Sequence, residues 1–195
     1  MGRVFVITGP SGVGKGTLIR TLLERVPELG LAVSATTRAP RPGERNGADY
    51  HFLSDAEFDR RIAAGDFVEH ASYSGRRYGT LREELDRRTG GGSPVVLEIE
   101  VQGARQVAER MPEAVRIFIA PPSEEALRTR LIGRGTDDPE QVGARLASAR
   151  EELRAQDEFS HVVVNDRLED SVAALEAVVR AALGSMDCST TKEAP

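Results

Sequence analysis

Short apolar runs alternate with longer stretches of helical periodicity along this chain. Residues 3–8 read as a buried strand, and the apolar-periodic segment that starts at Leu18 reads as a helix ending near Val26, because Pro27 cannot continue it. Residues 31–36 form a second short strand on this reading. The stretch from Thr37 to Gly47 breaks the periodicity with Arg38, Pro40, Arg41, Pro42, Gly43, Arg45 and Asn46, so it is an irregular arm and not core. Extended structure resumes at Asp49 to Leu53. Ser54 followed three places later by Glu57 is a capping box that starts a short helix, and Thr80 followed by Glu83 predicts a second one. Between them, residues 67–73 and 76–78 pair as strands about Ser74 and Gly75. The second helix runs out at Gly90, Gly91 and Gly92.

From there the alternation is regular. A β-branched run at 95–100, a helix from Gln102 to Arg110, a strand at 115–119 and a helix from Ser123 follow in order. Arg134 to Pro139 interrupts the helical pattern, which returns as a long charged helix to about Asp157. His161 to Asn165 is the last strand, and Leu168 to Leu183 the last helix, with Gly184 as its stop and disorder expected beyond Ser185. Strands separated by helices imply βαβ units, hence an α/β fold with a parallel sheet flanked by helices. Residues 34–92 read as an inserted lobe bounded by the glycine triplet. No internal repeat is present.

At 195 residues the chain is long enough for one sizeable core plus that lobe. Its net charge of −5 supplies no global basic field for nucleic acid, so any anion binding must be local. The single cysteine, Cys188, cannot form an intrachain disulfide or one of the cysteine-rich zinc patterns, which fits a reducing cytoplasm. No run of about 18 apolar residues is present and the first residues enter a strand directly, so a soluble, unprocessed protein is expected.

The local anion site is legible at Gly9-Pro10-Ser11-Gly12-Val13-Gly14-Lys15-Gly16-Thr17. Glycines let successive backbone N–H groups turn inward, and the helix that follows adds its positive end. The spacing G-x-x-x-x-G-K, between a strand and a helix, is that of a phosphate-binding loop. The Ser or Thr usual after the lysine is replaced by Gly16, with Thr17 one place later, so the customary magnesium hydroxyl is displaced or absent and the metal ligand is unknown, Thr17 being the candidate. Of 26 basic residues only Lys15 and Lys192 are lysines, so a compact ammonium is wanted in the loop.

Phosphoryl transfer needs cations around a migrating charged group. Arg38 and Arg41 on the irregular arm are candidates to clamp a phosphate bidentately, with Tyr50 and Tyr78 as donors to it. Arg130, Arg134 and Arg145 flank the break around Gly135, near the hinge of an expected lid. A second set would read a base. Guanine offers two donors, N1–H and its amine, for which a buried carboxylate is the complement, and Glu69, Glu100, Ser34 and Thr80 are the candidates. In a parallel sheet Glu98, Glu100 and Asn165 fall near the edge that carries the phosphate loop. His51, His70 and His161 have no metal spacing.

Four stretches together carry a resemblance: the phosphate loop; Ser34 to Glu44, continued by Gly47-Ala48-Asp49-Tyr50; Leu97-Glu98-Ile99-Glu100-Val101-Gln102-Gly103-Ala104; and Arg134-Gly135-Thr136-Asp137. The chain resembles the guanylate kinase family over roughly residues 3–184. That resemblance implies a P-loop fold with a core (1–33, 93–133 and 145–184), a GMP-binding lobe (34–92), a lid (134–144) that closes on nucleotide binding, and a tail (185–195). It also implies transfer of the terminal phosphate of ATP to GMP with magnesium, in purine nucleotide metabolism. By position, Gly9, Pro10, Ser11, Gly12, Val13, Gly14, Lys15, Gly16, Thr17, Arg130 and Asn165 would take ATP, with Asn165 near the adenine. Ser34, Glu69, Thr80 and Glu100 would surround the guanine. Arg38, Arg41, Tyr50 and Tyr78 would hold the GMP phosphate. Lys15, Arg38, Arg134 and Arg145 would act on the transferring group. Small-molecule substrates and a monomer or homodimer are implied, without nucleic acid or membrane. The family's usual Asp is Glu100 here. Two alternatives are a kinase for another monophosphate and a non-catalytic module of the same fold, the latter opposed by the intact Lys15.

Overall fold

The computed structural model of the chain describes residues 2–73, 75–132 and 139–187. Arg134, the first part of the expected lid (134–138) and the tail from 188 onward lie outside the described residues. Two compact units emerge, one made of residues 1–6 and 28–114, the other of 7–27 and 115–195. Strand β1 (Val4–Thr8) contributes Val4 to Val6 to the first and Ile7 and Thr8 to the second. All five of its residues are buried, which is why Val4 to Ile7 are apolar without alternating.

In the first unit β2 (Gly30–Leu31) pairs in parallel with β7 (Val95–Glu98), which lies beside β1. A second sheet has the order β4 (His51–Phe52), β3 (Ala35–Thr36), β6 (Arg76–Leu81), β5 (Phe67–Tyr73). Here β3 and β4 run parallel, whereas β6 runs antiparallel to both of its neighbours. The single strand expected over 31–36 is therefore two short strands in different sheets. The backbone N–H of Val33, between them, donates to the buried Glu84 carboxylate (2.9 Å) instead of to a strand.

Helices α2 (Asp55–Ala64), α3 (Arg82–Thr89) and α4 (Val101–Arg110) complete this unit. Ser54 caps α2 as predicted, its hydroxyl accepting the Glu57 N–H at 3.1 Å. The second capping box does not form. Leu81, not Thr80, stands at the cap of α3, with no side-chain cap bond, because Thr80 stays in β6 opposite Glu69 and spends its hydroxyl there. Phe58 of α2 stacks on Phe67 of β5 with centroids 4.5 Å apart, and Ala35 and Leu81 close a small buried core around them.

In the second unit β8 (Val115–Ala120) lies beside β1 and pairs in parallel with β9 (His161–Val164). Helices α1 (Lys15–Arg25), α5 (Glu124–Ile132), α6 (Pro139–Arg154) and α7 (Leu168–Asp187) surround them. Buried Leu18, Ile19 and Leu22 on α1, and Val172, Leu175 and Val179 on α7, show the helical spacing that the sequence carries. The last helix passes through Gly184, which is not in a positive-φ conformation and so does not act as a stop. No helix among the described residues is long and apolar enough to cross a membrane.

Candidate active site

The chemistry-bearing residues fall into two groups, one in each unit. In the second unit the loop between β1 and α1 turns on Gly14, which caps the helix in a left-handed conformation (φ 100°) that favours glycine. A Cβ there would also lie 2.7 Å from the Asn165 amide nitrogen. No side chain caps α1, and its first turn holds no acidic residue, so the positive helix end is left for an external anion. The Lys15 ammonium folds over the loop, donating to the carbonyls of Gly9 (2.5 Å) and Pro10 (3.4 Å).

Three further predicted residues converge on the same loop. Arg145 on α6 donates to the Ser11 hydroxyl at 2.8 Å. The Val13 carbonyl accepts from both Asn165 Nδ2 (2.7 Å) and Arg130 Nη1 (3.3 Å), and Arg130 Nη2 also reaches the Asn165 carbonyl (2.9 Å). Asn165 stands just past β9 and is buried, and its side chain braces the loop backbone. Thr17 is exposed, with its hydroxyl accepting from Arg20 at 3.4 Å. A Cβ on Gly16 would meet open space, so nothing in the packing excludes a hydroxyl residue there. No cluster of three or more His, Cys, Asp or Glu side chains suited to a metal occurs among the described residues. With a cationic neighbour on Thr17 and no acidic cage among the described residues, those residues do not by themselves form a resident magnesium site.

In the first unit, Glu69 on β5 and Thr80 on β6 are register partners of the antiparallel ladder, and the Thr80 hydroxyl donates to the Glu69 carboxylate at 2.8 Å. Both are almost wholly buried. Burial pushes the Glu69 carboxyl up to about 7, with the negative charge of Glu100 adding to the rise and bonds from Thr80 and the charge of Arg110 opposing it. Glu100 is half-buried at the N-terminus of α4. Ser34 is half-buried just before β3, its carbonyl accepting the His51 N–H at 2.9 Å.

The irregular arm folds around one side chain. Arg38 is held bidentately by Glu44 (2.8 and 2.9 Å), with its guanidinium carbon 5.2 Å from the Tyr50 ring centroid and 5.8 Å from that of Phe52. Tyr78 meets Tyr50 edge-on at 6.2 Å. Arg41 is exposed, and its backbone N–H donates to the same Glu44 carboxylate. Hydrogen bonds from Arg38 and the Arg41 N–H hold the Glu44 carboxyl below its ordinary range, and Glu44 in turn raises the Arg38 pKa. Burial raises the Tyr50 phenol, with Glu98 adding to the shift. Sequence reasoning assigned Glu44 no role. The signal was there, in a lone carboxylate within a run of arginines.

A glycine-rich loop that joins a buried strand to an uncapped helix, in an α/β protein with parallel strands, defines a P-loop nucleotide-binding protein. Residues 1–182 match the family model described as guanylate kinase. The chain is 51% identical to a guanylate kinase of a Nostoc species over 91% of this chain and 89% of that one. It is 54% identical to one from Gloeobacter violaceus over 92% of this chain and 86% of that one. The solved structure of a guanylate kinase from Anaplasma phagocytophilum superposes with a TM-score of 0.76 at 35% identity, covering 92% of this chain and 85% of that one. A gluconokinase from Sinorhizobium meliloti shares the fold at 19% identity, with a TM-score of 0.54. The chain belongs to the guanylate kinase family.

Proposed function

We infer that this chain transfers the terminal phosphate of ATP to GMP, releasing ADP and GDP. A GMP phosphate oxygen attacks the γ-phosphorus while the bond from that phosphorus to the bridging oxygen of ADP breaks. Catalysis of this kind is mostly positioning and charge. Lys15 and the loop amides take the ATP phosphates, Arg130 and Asn165 brace the loop, and Arg145, with Arg134 by resemblance, supplies positive charge to the transferring group. The stretch 34–92 is the GMP-binding lobe. In it Arg38, Arg41, Tyr50 and Tyr78 hold the GMP phosphate, and Ser34, Glu69 and Thr80, with Glu100 from outside the lobe, surround the base.

The observation that carries the reading is the buried Glu69 carboxylate beside Thr80, a pair of acceptors for the two donors on guanine's edge. On the arm, Glu44 occupies the Arg38 fork that a phosphate would take, and a dianion competes well for it. Magnesium would come with ATP as its counter-ion, not on a cage of this chain's described side chains, and would supply neutralisation of charge on the phosphates. The substrates, the lone cysteine and the want of a membrane helix among the described residues favour a cytoplasmic place in purine nucleotide recycling.

A coupled ADP-release assay with ATP and magnesium, offering GMP, dGMP, AMP, CMP, UMP and dTMP in parallel, tests this directly. Turnover with GMP, weaker with dGMP, is the expected result. Preference for another monophosphate would overturn the base-pocket reading.

A further inference from the structure

Helix α4 presents one face to the outer edge of β5, where three residues at helical spacing meet the strand, Gly103, Gln106 and Arg110, with Glu100 at the helix's N-cap. The last strand of the second sheet is β5, so the backbone groups on its far side need partners. Gln106 supplies both for His70. Its Oε1 accepts the His70 N–H (3.3 Å) and its Nε2 donates to the His70 carbonyl (2.6 Å), as a neighbouring strand would. Arg110 donates to the carbonyl of Val68. Glu69 lies between these two clamped residues, and its side chain comes down on Gly103. A Cβ built on Gly103 would stand 2.2 Å from Glu69 Oε2 and 2.9 Å from Cδ, against 3.4 Å from Cγ.

We propose that Gly103 is a specificity-determining position for the monophosphate's base, acting through Glu69, with Gln106 as the brace that fixes the height of β5 over it. The missing Cβ is the space in which the Glu69 carboxylate rests. Filling it lifts the acceptor pair away from the guanine edge without touching the phosphate-binding side chains. The inference rests on the reading of Glu69 as the base's acceptor.

Gly103→Ala, Glu69→Asp, the double variant and Glu69→Gln separate the two ideas, with KM for GMP, KM for ATP and melting temperature measured on each full chain. Gly103→Ala is expected to raise the GMP KM at least ~10-fold, the scale of a misplaced hydrogen-bond acceptor, and to leave the ATP KM within about twofold. Glu69→Asp alone also raises the GMP KM. In the Gly103→Ala background, however, it restores part of the loss, because the aspartate carboxyl carbon sits where Cγ was, 3.4 Å from the new methyl and so at the short end of ordinary contact, in place of the 2.2 Å overlap with Oε2. Alanine is the better helix former, so a Gly103→Ala variant with a higher melting temperature and unchanged GMP KM would overturn the proposal. Independent, multiplying losses in the double variant would also overturn it. If Gly103→Ala does not fold, Gln106→Ala carries the test: a rise confined to the GMP KM supports the brace, and no rise overturns it. A normal GMP KM in Glu69→Gln would instead refute the reading on which the inference rests.

Discussion

Glu69 is buried where an ionised carboxylate is costly, and a hydroxyl and a backbone N–H from Thr80, with the nearby charge of Arg110, compensate it in part. The consequence for pH has a definite sign. Folded, the group titrates at about 7 against an ordinary 4.5, so the native state holds more protons than the unfolded chain between those values. The stabilising effect of the extra proton is complete below 4.5 and is lost as pH rises through 7, after which the penalty is up to about 3 kcal/mol. Glu69→Gln keeps the shape and an acceptor for Thr80 but removes the charge. It is expected to melt several degrees higher than the parent at pH 8 and to differ little at pH 4.5, as followed by circular dichroism. In the parent, kcat/KM for GMP is expected to fall below an apparent pKa near 7 while the ATP KM stays flat, and Glu69→Gln loses both that limb and at least ~100-fold in kcat/KM for GMP. A limb that survives the substitution would assign the titration to another group.

Elements place that residue. Phe58 on α2 is fully buried against Phe67 of β5, and the guanidinium of Arg77 lies 4.8 Å from its ring centroid. Phe58→Ala opens a cavity under β5 and is expected to cost about 3–5 kcal/mol, read from the denaturant midpoint. It also raises the GMP KM with little change for ATP, since the strand that carries Glu69 loses its backing. The sequence shows these elements where one principle acts alone. The strand of β1, the glycine loop and the Ser54 cap depend on local chemistry, and each was legible. Thr80 was not, because its hydroxyl serves equally as a cap or as a cross-strand donor, and only the presence of Glu69 opposite decides between them. The division of 31–36 depends on Glu84, some fifty positions later in the chain, and no local pattern announces that. Gly103 and Gln106 were invisible for the same reason, as a glycine inside a helix explains itself only once the strand beside it is known.

At the scale of the whole chain, the groups proposed for each substrate lie within one unit. The loop of 9–17, Arg130, Arg145 and Asn165 belong to the second, whereas the arm, Glu69, Thr80 and Glu100 belong to the first. Binding to the native state stabilises it by mass action, by about 2.7 kcal/mol at a hundred times the dissociation constant, and slows exchange of amides that open with the bound region by roughly 100-fold. Hydrogen exchange read by peptide therefore distinguishes the two groups of residues. GMP alone is expected to protect the arm and the β5–β6 ladder, and a non-hydrolysable ATP analogue with magnesium the peptides over the phosphate loop and α1. The protection falls on local openings first, because binding loops open far more readily than core strands. If GMP protects the loop of 9–17 as strongly as the β5–β6 ladder, the assignment of one nucleotide to each set of residues fails. If neither ligand changes the ladder while GMP is still turned over, the base is read elsewhere, and Glu69 owes its burial to packing alone.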